Sequence, residues 1–313
     1  MNSIGIINIL MCSSPGGNRG PANAYANHLR ALSASKNYNV FDISKFSRIE
    51  DLSNIDIFWF SIRFHPDLYY AIKNRYPDKI YVMGPNVLFE KAEIGPSDSW
   101  EKWFVDNVYA DFYFNKADFY LARAKQFYTK SKNYEVLRNC IDLSSYDSKP
   151  VTKDLDILLY YKKRRIDTQL DSMFPEFIKK LDKLDLNYQT ISYGSYNRED
   201  YFSQLRRSKL CVWFSIEDFC ANAQLEAQYF NVPVLGTEHN CTENFDSSLI
   251  IPASKMTENS WVKWVDEMPQ IFIDRICKFF NEDVGNIKDK PSKFIEDNHS
   301  YTAYEKQINR IFK

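Results

Sequence analysis

The sequence predicts an α/β protein made of two open domains, each built on a parallel sheet. Three observations carry this expectation. Short apolar runs alternate with amphipathic stretches along the whole chain, the pattern of strand–helix–strand units. The 313 residues suffice for two cores at about 150 residues per domain. A polar, proline-bearing segment, LSSYDSKPVTKD at 143–154, parts one set of runs from the other and reads as a linker. The predicted domains are 1–146 and 153–300, followed by a last helix over 302–312 with Tyr304, Ile308 and Ile311 at helical spacing.

In the first half, strands are expected at 4–10, 38–43, 55–61, 80–83, 119–122 and 135–137. Pro21 suits the first turn of a helix, and Ala24, His28, Ala31 and Leu32 then share a face, with His28 read as a helix-surface residue. In the second half, strands are expected at 156–161, 188–192, 210–214, 232–235 and 248–251, with helices at 175–184, 198–207 and 222–230. From Trp261 onward the chain reads as helical. Two such domains are expected to turn the carboxyl ends of their strands toward a shared cleft, where ligands of open sheets bind.

Composition removes several classes of function. The 40 basic and 41 acidic side chains leave no field that would gather nucleic acid or an anionic membrane. Six cysteines (Cys12, Cys140, Cys211, Cys220, Cys241, Cys277) are scattered, without the spacing of a zinc site, as suits reduced and mostly buried thiols in the cytoplasm. The N-terminal MNSIGIINIL turns polar at once and resembles neither a signal peptide nor an anchor. No apolar run approaches the roughly 20 residues of a membrane span, so any membrane association is expected to be peripheral.

The chemistry is expected in the loops. In WFSIEDFCANAQLEAQYFNVPVLG, from Trp213, a buried strand ends in a polar loop and a helix begins near Asn222. Such a loop offers backbone N–H groups at a helix N-terminus, where a phosphate is stabilised. Asp218 lies in the loop and Glu226 follows eight residues later, so the two carboxylates can accept hydrogen bonds from hydroxyls on either side of a diphosphate. In DILLYYKKRRID, four basic residues follow a strand. If the strand continues, Lys162 and Arg164 point one way and Lys163 and Arg165 the other. In SSPGGNRGPANAY, Gly16, Gly17 and Gly20 allow a tight turn between the first strand and the first helix.

The register of Ser215, Asp218, Glu226, Ala227, Pro233 and Val234 resembles the nucleotide-sugar signature of glycosyltransferases of the GT-B type, family-4-like. The resemblance implies two Rossmann-like domains, a nucleoside-diphosphate sugar as donor, and a glycan, lipid-linked or protein acceptor. It implies that Glu226 holds the donor ribose and that Asp218 faces the transferred sugar. A basic pair, Lys162 and Arg164, would neutralise the departing diphosphate. The first acid of the signature is Asp rather than Glu, and Phe219, Cys220 and Ala221 replace a Gly-Phe-Gly loop, so Phe219–Ala221 and Asn222 would line the donor. Gly16, Gly17 and Gly20 resemble the loop that closes over the donor, and His65 follows the third strand where related enzymes place a histidine near the reacting sugar. Gly84-Pro85-Asn86, the Asn139/Asp142 turn and Glu243 are weaker points of likeness. The segment 301–313 would pack back on the first domain.

The expected reaction is a metal-independent, retaining sugar transfer without a cofactor. The acids of Asp154-Leu155-Asp156 precede a strand and are badly placed to hold a metal-diphosphate. Three alternatives stay open: a sugar-nucleotide epimerase on the same fold, a nicotinamide oxidoreductase, and a catalytically silent sugar-binding protein. Asp42 ends the second strand where a dinucleotide-binding acid belongs, but Pro15 occupies the position of the first fingerprint glycine.

Overall fold

A computed structural model of the protein describes residues 6–12, 19–46, 48–61, 64–85, 99–146, 151–162, 168–192, 194–215, 221–238, 244, 246–252, 256–257, 260–282 and 291–312. The chain divides into two compact units, Met1–Ser144 with Asn298–Lys313, and Ser145–Asp297.

The first unit holds β1 (Ile7–Met11), α1 (Arg19–Ser33), β2 (Tyr38–Asp42), β3 (Ile57–Phe60), α2 (Pro66–Arg75) and β4 (Ile80–Met83). It continues through α3 (Ser99–Asn107), β5 (Ala110–Asn115), α4 (Asp118–Phe127) and β6 (Ser131–Val136). Its six strands are all parallel, in the order β2-β1-β3-β4-β5-β6. A parallel sheet covered on both faces needs continuous apolar strands rather than alternating ones. IFWF in β3 and the YVM of β4 meet that need, being buried throughout. One face packs Leu10, Phe58, Phe60, Tyr81 and Met83 against Tyr69, Ile72, Phe104 and Tyr128. The other packs Ile9, Met11, Ile57, Trp59 and Phe114 against Tyr25 and Leu32 of the first helix and Tyr304 and Ile308 near the chain's end.

The second unit holds β7 (Leu155–Tyr161), α5 (Thr168–Leu181), β8 (Tyr188–Ser192), α6 (Arg198–Arg207), β9 (Ser208–Phe214), α7 (Asn222–Tyr229), β10 (Val234–Thr237) and β11 (Ile250–Ile251). These five strands form a parallel sheet in the order β11-β10-β9-β7-β8. A hairpin of β12 (Met256–Thr257) and β13 (Ser260–Trp264) follows, then α8 (Met268–Asn281) and α9 (Pro291–His299), whereas α10 (Tyr301–Ile311) belongs to the first unit. The central strands are clamped by aromatic pairs on opposite faces. Tyr160 stacks on Trp213 at 3.9 Å between ring centres, while Tyr161 stacks on Phe174 at 3.9 Å and Phe177 on Phe214 at 4.7 Å.

Four expectations need correction. The run at 119–122 is not a strand but part of α4; the strand is the preceding run, β5. A four-residue apolar run fits either state, and here Leu121, Ala124 and Tyr128 supply a helical stripe buried against the sheet. The chain after Trp261 is not helical at first: WVKW lies in β13, and Gln169 of α5 pins it by accepting from the Trp264 N–H (3.0 Å) and donating to its carbonyl (2.7 Å). His28 is not a surface residue. It is fully buried and stacks on Tyr304 at 4.9 Å, and burial foremost, with the Lys116 charge adding, lowers its pKa to about 3. Sequence spacing placed it correctly on the helix but gave no sign of the partner from α10. Helix α5 also begins before Pro175, which lies in its interior.

Gly84 closes β4 with φ +91°. Its N–H donates to the Phe60 carbonyl (2.8 Å), and its carbonyl accepts from the Trp59 indole (2.7 Å). A Cβ here would stand 2.1 Å from the Phe114 carbonyl oxygen, a backbone atom that has no freedom to swing away. Gly84→Ala therefore combines backbone strain with overpacking and is expected to destabilise the first unit by about 3 kcal/mol. Denaturant unfolding measures this; a change below about 1 kcal/mol would show that β4 and β5 can part without cost.

Candidate nucleotide-sugar site

The order of strands in the second sheet points to one place. From β7 the chain first builds outward to β8 and then crosses back to build β9, β10 and β11 on the other side. At such a reversal, helices leave in opposite directions beyond the carboxyl ends of the two strands, and the crevice between them accepts ligands. The residues at that point are Lys162, directly after β7, and Ser215, directly after β9. The Lys162 N–H donates to the Phe214 carbonyl at 3.4 Å, carrying the ladder one step past the strand and fixing the backbone that bears this cation. Lys162 is half-buried and Ser215 is buried.

Beyond the loop after β9, Ala221 is the N-cap of α7 and provides no side-chain cap. Asn222 is the first helical residue, and its buried Oδ1 has no hydrogen-bond partner among the described residues. The same holds for Nε2 of Gln224, a buried side chain in the first turn. Buried polar atoms left without a partner are uncommon and mark places where a ligand or water completes the bonding.

Glu226 lies one turn further along α7. Its Oε1 accepts from the Tyr146 hydroxyl at 2.9 Å and lies 3.5 Å from Nη2 of Arg198. Nη2 also donates to the Tyr146 oxygen at 3.3 Å. The Arg198 guanidinium lies 4.9 Å from the centre of the Phe202 ring and 5.5 Å from that of Tyr146. Tyr146 is itself wedged among Phe202, Tyr229 and Phe230. Burial pushes the Glu226 carboxyl up to about 7, opposed by the Tyr146 hydrogen bond and the Arg198 charge. The far end of α7 is tied down as well. Asn231 takes φ +57° past the helix end, and its carbonyl accepts from Lys153 Nζ at 2.7 Å.

Of the residues expected at the site, Lys162, Ala221, Asn222 and Glu226 thus gather at one edge of the second sheet and on the helix leaving it. Arg164, Asp218, Phe219 and Cys220 lie outside the described residues. So do Gly16 and Gly17, together with Asn86 and Glu243 of the weaker likenesses. Gly20 belongs to the first turn of α1 rather than to a loop. His65 is exposed, and its carbonyl accepts from the Tyr69 N–H (2.9 Å) as the cap of α2, while its side chain makes no capping bond.

Two acidic motifs have other employment. Asp42 accepts from the Tyr25 hydroxyl through Oδ2 and from the Ser44 N–H (2.8 Å) and hydroxyl through Oδ1, so both its oxygens serve the first unit's own donors. That weighs against a dinucleotide ribose at this acid. Asp154 pairs with Arg207 through two bonds of 2.7 Å, and Asp156 with Lys209 at 2.7 Å, at the amino edge of the second sheet. Tyr146 and Arg198 escaped the sequence reading; the one available signal was a bulky aromatic inside an otherwise polar linker.

Two consecutive open parallel sheets of six and five strands, wound with helices, place the chain in the GT-B fold class. The solved structures it resembles include a sucrose-phosphate synthase from Thermosynechococcus elongatus, at 10% identity over 98% of each chain with a TM-score of 0.64. Anabaena HepE in complex with UDP and glucose matches at 12% identity, 98% of this chain, 99% of that one and a TM-score of 0.63. The lipopolysaccharide outer core galactosyltransferase WaaB matches at 12% identity over 98% of each chain, also at 0.63. At such identities the likeness defines the fold. No family model matches the chain, and no curated protein matches it in sequence. Among the described residues no helix is long and apolar enough to cross a membrane.

Proposed function

We propose that the chain is a glycosyltransferase moving a sugar from a nucleoside-diphosphate sugar onto an acceptor hydroxyl of a glycan, glycolipid or glycoprotein. One observation carries the reading: a cation, Lys162, follows β7 at the reversal point of the second sheet, and Glu226 lies one turn along α7, the helix that follows the neighbouring strand β9. A diphosphate needs the cation and the helix start, and a ribose the carboxylate. That HepE, on the same fold, holds UDP and glucose supports it.

In this reading Glu226 accepts from the ribose hydroxyls, Asp218 faces the sugar, and Lys162 with Arg164 stabilises the charge that grows on the diphosphate as its bond to the anomeric carbon breaks. The acceptor oxygen bonds the anomeric carbon, the diphosphate leaves with the electron pair of the broken bond, and the acceptor proton passes to that departing diphosphate. Gly16, Gly17 and Gly20 take part in donor binding, and His65 takes part in the transfer. The transfer is metal-independent and retaining, needs no cofactor, and takes place in the cytoplasm, where the buried thiols of Cys12, Cys140 and Cys211 stay reduced.

A thermal-shift panel of UDP-, GDP-, ADP- and TDP-sugars tests this. One donor at 100 times its dissociation constant should stabilise the protein by about 2.7 kcal/mol. No shift with any of the four, at millimolar concentration, would overturn the reading.

A further inference from the structure

Resting on that reading, we infer that Tyr146 and Arg198 are positioning residues for the donor: they take Oε1 of Glu226 and so leave Oε2 for the nucleotide ribose. The contacts on Oε1 come from two different segments, the residue just past the boundary between the two units and the first residue of α6. Each contact is itself held. Tyr146 is boxed by three aromatic rings, and the Arg198 guanidinium lies within cation–π reach of both Phe202 and Tyr146, at 4.9 and 5.5 Å from their ring centres. A carboxyl group on a helix has two free torsions beyond Cβ, so fixing one oxygen orients the other.

The arrangement also has an electrostatic consequence. An almost buried carboxyl is inclined to hold its proton, and a protonated oxygen is a poorer acceptor for ribose hydroxyls. The hydroxyl of Tyr146 and the charge of Arg198 both favour the ionised form and bring the group down to about 7. Among the described residues the titratable and charged groups facing Glu226 are Tyr146, Arg198 and the buried Tyr201 of α6. The sign follows directly. Donor affinity should rise as pH passes upward through about 7 and level off once Glu226 is ionised. Removing either partner moves that midpoint to higher pH.

The experiment is calorimetric titration of the full chain with the nucleotide sugar that gives the largest thermal shift, between pH 5.5 and 9. An intact nucleotide sugar is chosen because its diphosphate diester does not titrate in this range. With Tyr146→Phe the midpoint should move up by about one pH unit, so that binding is about fivefold weaker at pH 7 and close to wild type at pH 9. Arg198→Gln should act in the same direction and Arg198→Lys should restore part of the loss. Glu226→Gln should abolish the slope. A purely structural role for Tyr146 would weaken binding equally at every pH. A Tyr146→Phe profile parallel to or superimposed on wild type therefore overturns the inference while leaving the donor site standing. A slope that survives in Glu226→Gln overturns it too, because the titrating group is then another. Should Tyr146→Phe fail to fold, Arg198→Gln decides in its place. If the wild type binds none of the sugars, the donor reading fails, and this inference with it.

Discussion

Replacing Tyr304 with alanine is expected to lower the stability of the first unit by about 3–5 kcal/mol, the range for deleting a large buried ring. Tyr304 is fully buried in a cluster that includes Tyr25, Leu32, Trp59 and Phe114, and its ring covers that of His28. The loss has a second signature. His28 is held neutral in the folded protein, with its pKa lowered from 6.5 to about 3, whereas the unfolded chain takes up a proton near 6.5. Its neutrality therefore supports the fold fully above about pH 6.5, and stability falls as pH drops from there toward 3. The slope is about 1.4 kcal/mol per pH unit for one proton. Opening the site in Tyr304→Ala should hydrate the imidazole and flatten that slope. Unfolding by urea at pH 5 and pH 7.5 reads both effects. A loss below 1 kcal/mol with an unchanged acid slope would mean that α10 contributes little to this core.

Lys162→Ala should reduce kcat by a factor of about 10²–10³, in line with removing one group that stabilises transition-state charge. The KM for donor should change less, because the diphosphate gains charge as the sugar departs and the lysine acts most strongly there. Lys162→Arg should recover part of the loss. Turnover within threefold of wild type in Lys162→Ala would place the diphosphate elsewhere. Because the backbone N–H of Lys162 donates to the Phe214 carbonyl, the substitution leaves that hydrogen bond in place. Wild-type melting of the variant is thus the expected control.

Much of this was legible in the residues. The strands whose apolar runs are bounded by polar or proline-bearing turns, such as 80–83 and 188–192, stand where expected, as does the helix at 198–207 with Asn197 as its cap. The misplaced strand at 119–122 arose where one apolar run followed another with no turn signal strong enough to separate their states. ADFYFN and DFYLA are alike in composition, and only packing decides that the first is a strand and the second a helix. The candidate site was legible to the extent that it is local. Lys162, Asn222 and Glu226 all lie within one strand–loop–helix stretch or directly after a strand. The strand order that makes Lys162 and Ser215 neighbours is a property of pairing, which no single segment encodes. Tyr146 and Arg198 meet Glu226 across long sequence separations, so neither could be read from a motif.

The first unit is split in sequence: its sheet is finished by Val136, but Tyr304 and Ile308 complete its core only after the whole second unit has been made. During synthesis the six-stranded sheet and its first helix emerge first, with Trp59 and Phe114 still lacking Phe312 and His28 still lacking Tyr304. The second unit, being continuous, is able to fold while those contacts wait. Order of emergence and order of completion are therefore reversed.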